Sequence, residues 1–204
     1  MMDIAEEMFR DVNAALWRGD IPEVLRSETF KRDIRLNKLE RSVRRRVINH
    51  LATHGPASGD TPYCLVLMNV VKDAERIGDY VKNLAEIPVI SSMTIPEGDL
   101  RTELRDIGFG TESLLAPVAR VFRDNRKQEA EHMIRTAREL SHRADGLLPR
   151  IANADYPSRA TTSLCLTARF YKRITGHTCN ILSSVVMPVH KIDYFDEKEL
   201  DASN

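Results

Sequence analysis

Apolar residues recur every three or four positions along most of the chain. From Leu67 they fall at Val71, Ala74, Gly78, Val81 and Ala85, with Val70, Ile77 and Leu84 beside them, which is the stripe of an amphipathic helix. A facing stripe, Ile34, Leu36, Leu39, Val43, Val47 and Leu51, marks the preceding segment. Glycines and prolines gather between such stretches, at Gly19–Pro22, Gly55–Pro62, Pro88–Gly98, Pro149–Pro157 and Pro188, with Asp124–Asn125 as a further turn. The intervals predict six helices, over about 3–18, 21–54, 62–87, 98–124, 126–153 and 158–187, with a kink at Pro117. No segment alternates with period two and carries strand residues, so the fold class is all-α. Helices of some 25–30 residues are about 40 Å long and pack naturally as elongated antiparallel bundles.

The two halves overlay. KDAERIGDYVKN (Lys72 to Asn83) matches RFYKRITGHTCN (Arg169 to Asn180) at a shift of 97, so that Arg76, Ile77 and Asn83 recur as Arg173, Ile174 and Asn180. The turn ending at Asp20 matches the one ending at Asn125 at a shift of 105. The eight-residue difference falls in the loop between the second and third helices. A three-helix unit used twice accounts for this, giving two tandem antiparallel three-helix bundles. The expected organisation is a first repeat over 1–90, a second over 97–190 and an acidic tail over 191–204.

Composition narrows the function. Thirty acids balance thirty bases in 204 residues, which excludes a generally basic nucleic-acid coat. The longest apolar run, Tyr63 to Val71, is far short of a membrane span. Three scattered cysteines suit a reducing cytoplasm, and the acidic, amphipathic start lacks the marks of a secretion signal. The first helix is shorter than its partners, leaving open whether it is complete. No nucleophile elbow, phosphate loop or catalytic triad order appears, so no catalytic residue is assigned.

Glu75 and Asp79, four apart, project from one side of a helix and repel each other. Asp33, Asn37 and Glu40 form a second row of oxygen donors on the preceding helix. Together the rows offer ligands to a hard or borderline cation. Lys72, Arg76 and Lys82 offer the alternative, a solvated salt-bridge face. Gly78 lies on the core stripe and admits a neighbouring helix.

KDAERIGDYVKNLAE resembles the signature of PhoU-domain proteins, an E/D-x-x-x-D motif followed by Asn. RFYKRITGHTCNILSSVVMP is similar to the second-repeat signature of standalone PhoU-like proteins, including those associated with sodium–phosphate cotransporters. The resemblance covers nearly the whole chain, from the Gly19 turn to about Tyr194. It implies a non-enzymatic cytoplasmic regulator of phosphate uptake or signalling, often dimeric, whose partner is a phosphate transporter component or a phosphate-sensing kinase. It also implies iron or zinc on the first repeat, with Glu75, Asp79, Asp33 and Glu40 as ligands and Asn37 and Asn83 as weaker ones.

The second repeat departs from that pattern. Lys172 and Gly176 stand where Glu75 and Asp79 stand, and at the shift of 105 Arg138, His142 and Asp145 replace Asp33, Asn37 and Glu40. A metal site of the first kind is therefore not expected there. Lys172, Arg173 and Arg138 instead form a basic patch for an anion such as phosphate, while His142, Asp145 and His177 offer nitrogen-rich donors to zinc or simply a polar surface. Lys31 to Arg46 carries eight cations against two acids, and its Arg41, Arg44 and Arg45 are the expected partner contact, on an acidic protein or at most peripherally on a membrane. Trp17 is expected as a core or dimer anchor. Two alternatives stand beside the regulator: a metal-free helical adaptor, and a carboxylate-bridged metalloenzyme, for which Glu139 and His142 supply the one matching Glu-x-x-His pair.

Overall fold

A computed structural model describes residues 1–55, 59–91 and 95–193. The helices are α1 (Met2–Arg18), α2 (Glu23–His54), α3 (Thr61–Ser91), α4 (Asp99–Leu115), α5 (Val118–Arg123), α6 (Lys127–Ala152) and α7 (Ser158–Val186), followed by a 3₁₀ turn at Val189–Lys191. No strand occurs among the described residues. The acidic stretch expected after Asp193 lies outside them.

Each breaker acts through its backbone. Gly19 ends α1 in the left-handed conformation at φ 87°, its N–H returning to the Leu16 carbonyl. Asn125, at φ 50°, turns the chain between α5 and α6. Pro117 does more than kink the fourth helix. It divides it into α4 and α5, because proline has no N–H for the helical ladder. Pro88, in contrast, is carried within α3, which continues to Ser91. There the Ser91 hydroxyl donates to the Ile87 carbonyl at 3.0 Å and meets the Ser163 hydroxyl at 2.5 Å, fastening the end of α3 to α7.

Two antiparallel three-helix layers result, α1–α2–α3 and α4/α5–α6–α7, and they share one continuous hydrophobic core. Helix α7 packs against both α6 and α3, so α3 and α7 form the joint between the halves. The repeated Ile77 and Ile174 are both fully buried. Burial along α2 and α6 corrects the repeat register. Thr29, Asp33, Leu36 and Val47 face inward as Met133, Ala137, Leu140 and Ile151 do, a shift of 104 and not 105. Ala137, Ser141 and Ala144 are thus the counterparts of Asp33, Asn37 and Glu40. None of these three is a carboxylate, whereas the shift of 105 placed Asp145 opposite Glu40. Ile34 is another correction: it is 39% exposed, on the side of α2 away from Leu36.

Candidate functional site

The acidic rows of the first half are brought together by the close seating of α2 on α3. A Cβ at Gly78 would lie 2.2 Å from Leu36 Cδ1, so the absent side chain sets the approach. Asp33, buried on α2, and Asp79, on α3, both accept hydrogen bonds from the Lys82 ammonium, at 3.2 and 2.8 Å. Arg76 adds a looser contact to Asp79 at 3.7 Å. Glu40 accepts from Arg44 at 3.0 Å, and Asn37 lies half-buried one turn from Asp33. Two carboxylate oxygens, Asp33 Oδ1 and Glu75 Oε2, are buried without a hydrogen-bond partner. Such orphaned acceptors are costly unless a cation or donor reaches them.

Spacing identified the Lys82–Asp79 pair as an i, i+3 contact. The bridge from Lys82 to Asp33 crosses between helices and had no counterpart in local sequence. As folded, the Lys82 ammonium supplies the positive charge between the two aspartates. Among the described residues no group of three or more His, Cys, Asp and Glu side chains gathers so as to hold a metal ion. The five expected ligands therefore share one region but do not converge as a coordination shell.

Glu75 shows the electrostatic consequence. Burial pushes its carboxyl above the ordinary glutamate value of 4.5, and the nearby Glu40 adds to the rise against the pull of Arg76 and Lys72. An acid with a raised folded pKa contributes stability that is complete below the unfolded value and is lost as pH rises through the folded one. Glu75→Gln is accordingly expected to raise the melting temperature slightly at pH 7, with the gain vanishing by about pH 4. Thermal melts of both proteins across that range check it, and an equal offset at every pH would contradict the assignment.

In the second half, Arg138, Lys172 and Arg173 line one groove of about 750 Å³ between α6 and α7, with His142, Asp145 and His177. The three expected anion residues do share a surface. Lys172 is tied to Asp145 at 2.6 Å, however, and Arg169 approaches the same carboxylate at 3.6 Å. Glu139 and Asp193 also line the groove, so its fixed charges balance. His177 lines the same groove but is engaged by α3. Its Nδ1 lies 2.7 Å from Asp73 Oδ1, and Asn180 Nδ2 donates to the same oxygen at 3.1 Å. Tyr80 stacks on the His177 ring at 5.6 Å. Glu139 and His142 are both exposed, which removes the core-facing Glu-x-x-His pair that a carboxylate-bridged enzyme needs.

Sequence reasoning missed Asp73. It sits in the KDAERIGD string among charges read as surface, yet its side chain is only 9% exposed. The one indication was the recurring Asn at 180. Trp17, expected as an anchor, is buried in the core, where its Nε1–H reaches Asn13 Oδ1 and Tyr171 Oη. Of the expected partner residues, Arg41 and Arg45 are exposed on α2, while Arg44 is engaged by Glu40.

The PhoU domain family model matches residues 1–87, which is α1, α2 and α3 up to its last turn. The match covers less than half of the chain and lies wholly in its first half. The PhoU homologue of Synechocystis sp., described as a phosphate-specific transport system accessory protein, is 30% identical over 84 residues, 41% of this chain and 37% of that protein. The protein of the same description from Aquifex aeolicus is 29% identical over 90 residues, 44% of this chain and 40% of that one. The chain thus spans about two fifths of the length of these curated relatives. Solved structures extend the likeness of fold over both halves. The PhoU of Pseudomonas aeruginosa superposes with a TM-score of 0.81 at 21% identity, covering 91% of this chain and 90% of that one. The phosphate transport system regulatory protein PhoU of Streptococcus pneumoniae gives 0.78 at 16% identity, covering 90% and 87%. The acidic pair Glu75 and Asp79 falls inside the PhoU match, and the groove residues lie beyond it. No helix among the described residues is long and apolar enough to cross a membrane.

Proposed function

We propose that this chain is a PhoU-domain protein and a non-enzymatic cytoplasmic regulator of phosphate uptake. It acts, as a homodimer, by contact with a phosphate transporter component, a phosphate-sensing kinase, or both. The observation that carries the reading is the PhoU match over α1–α3, in a chain whose two halves share the PhoU fold. The cationic side of α2 around Arg41, Arg44 and Arg45 is the side turned toward the transporter or the membrane that holds it. Because Arg44 is engaged by Glu40, Arg41 and Arg45 are the ones free to meet a partner. In the groove, Lys172, Arg173 and Arg138 offer an anion such as phosphate a place to bind in competition with Asp145.

Iron or zinc on the first half is the finer part of the proposal. Its donors would be Glu75, Asp79, Asp33, Glu40 and Asn37, and the orphaned Asp33 and Glu75 oxygens support it. The Lys82 bridge favours a second reading, a metal-free helical adaptor in which the ammonium serves as the built-in cation. Phosphate uptake by cells lacking the gene, with and without the wild-type copy restored, tests the regulator. Uptake that responds to external phosphate identically in both strains would sink it. Elemental analysis of untagged protein beside a Glu75→Ala/Asp79→Ala variant separates the two finer readings. About one or more iron or zinc per chain, lost in the variant, is expected for the metal-linked regulator. Metal-free wild type from metal-replete cells leaves the adaptor.

A further inference from the structure

The eight cations between Lys31 and Arg46 are not spent alike. Arg32 is held by Asp11 and Glu28, and Arg44 by Glu40. The remaining six, Lys31, Arg35, Lys38, Arg41, Arg45 and Arg46, are all exposed, and none makes an ion pair with a described residue. At 100° per residue they cover one outward strip of α2, about 22 Å long. The only two acids in that stretch turn inward, Asp33 to Lys82 and Glu40 to Arg44. Phe30 and Ile48, 53% and 59% exposed, lie along one margin of the strip, and Ile34, 39% exposed, lies just inside it. The whole chain has a formal net charge of zero, so this strip leaves its remaining surface net acidic. Over residues 1–96 fourteen acids balance fourteen bases, so the first half is polarised, with its cationic edge on α2.

We infer that the outward face of α2 seats on an anionic lipid surface. The inference rests on the regulator reading, in that it places the chain beside a membrane transporter and names what the α2 face meets there. A helix with lysines and arginines across its outward face and large apolar side chains beside them fits a plane of anionic headgroups. The long side chains reach phosphates at any lateral position, while the phenylalanine and isoleucines enter the acyl boundary. An acidic protein would need fixed carboxylates placed to match the cations along the whole strip of about 22 Å, whereas a headgroup plane needs no such match. Charge polarity turns the α2 edge toward a negative plane before contact, and added salt screens the attraction.

Co-sedimentation of the full chain with protein-free vesicles tests this. Phosphatidylcholine vesicles serve as the neutral control, and phosphatidylcholine with phosphatidylglycerol as the anionic surface. The chain is expected to pellet with the anionic vesicles at low salt and to be released as salt rises. Lys38→Glu/Arg41→Glu/Arg45→Glu should weaken binding by at least about tenfold, since each basic side chain near such a surface contributes separately. Phe30→Ser/Ile48→Ser should weaken it with the charge unchanged. The altered residues are exposed, so unchanged melting temperatures establish that the variants are folded. Absence of binding to anionic vesicles at low salt overturns the inference, as does a charge-reversed variant that binds like wild type. Binding to native membranes but not to protein-free vesicles assigns the face to an acidic protein and overturns it too. None of these failures alters the phosphate-uptake result, which tests the regulator separately.

Discussion

Asn13→Ala is expected to lower stability by about 3 kcal/mol and the melting temperature by roughly 6–12 °C, the largest single effect anticipated for a small polar side chain here. Asn13 is completely buried on α1. Its Oδ1 accepts the Tyr171 hydroxyl from α7 at 2.6 Å and the Trp17 indole N–H at 3.0 Å, while its Nδ2 donates to Glu112 on α4 at 3.1 Å. One side chain thus satisfies groups from three helices and both halves. Burial holds the Tyr171 phenol far above its ordinary pKa, so it remains a neutral donor that needs an acceptor. No neighbour can move in to replace the amide. A Cβ at Gly108 would already lie 2.6 Å from Asn13 Oδ1 and 2.7 Å from Tyr171 Oη, so backbone and ring enclose the spot. Truncation leaves the Tyr171 hydroxyl with no acceptor and opens a void beside it.

Tyr171→Phe is the internal control. It removes the donor together with its need, and the Trp17–Asn13 bond survives, so it should cost only about 1 kcal/mol. Urea unfolding of both variants gives the comparison. Equal losses would mean that packing around the ring, and not the polar network, holds the three helices in register.

Local pattern was enough for the helices because an amphipathic stripe is written in consecutive turns of one segment. Every stripe position named on α3, from Val70 to Ala85, is buried. The stripe on α2 was less readable. Apolar residues occur on both sides of that helix, and Ile34 took the outward side, among the cations. Nor could spacing settle the effect of the prolines. Pro88 stays in α3 because the end of that helix is fastened to α7, a contact 72 residues distant. The candidate sites divide along the same line. Carboxylates four apart on one helix were visible; the partners that decide their chemistry were not. Lys82 reaches Asp33 across 49 residues, and His177 reaches Asp73 across 104. The shift of 105 carried from the turn onto α6 was off by one for a related reason. Glu23 opens α2 three residues after Asp20, whereas Lys127 opens α6 two residues after Asn125, so the turn and the buried face of the following helix keep different registers.

Asp73→Ala is the second large effect expected, a loss of about 2–3 kcal/mol concentrated at the joint between the halves. Removing the buried carboxylate leaves its two donors unpaired, at about 1–3 kcal/mol each, and the partial exposure of His177, 21%, lets water make up part of that loss. Asp73 comes from α3, while both of its donors, His177 and Asn180, come from α7. The substitution therefore strips two hydrogen bonds from the surface on which one repeat rests on the other. Asp73→Asn retains an acceptor and should cost about half as much. Hydrogen exchange distinguishes a local from a global effect. Amides of α3 and α7 should lose protection first, while α4 and the α6 face turned toward it keep theirs. A further readout lies at Asp193, whose carboxyl is raised first by burial and then by the charge of Asp73, with His177 opposing. In Asp73→Ala the pKa of Asp193 should fall. If stability stays within about 0.5 kcal/mol of wild type, Asp73 is an ordinary surface charge. In that case the joint rests on the buried apolar residues of α3 and α7 and on the Ser91–Ser163 hydrogen bond.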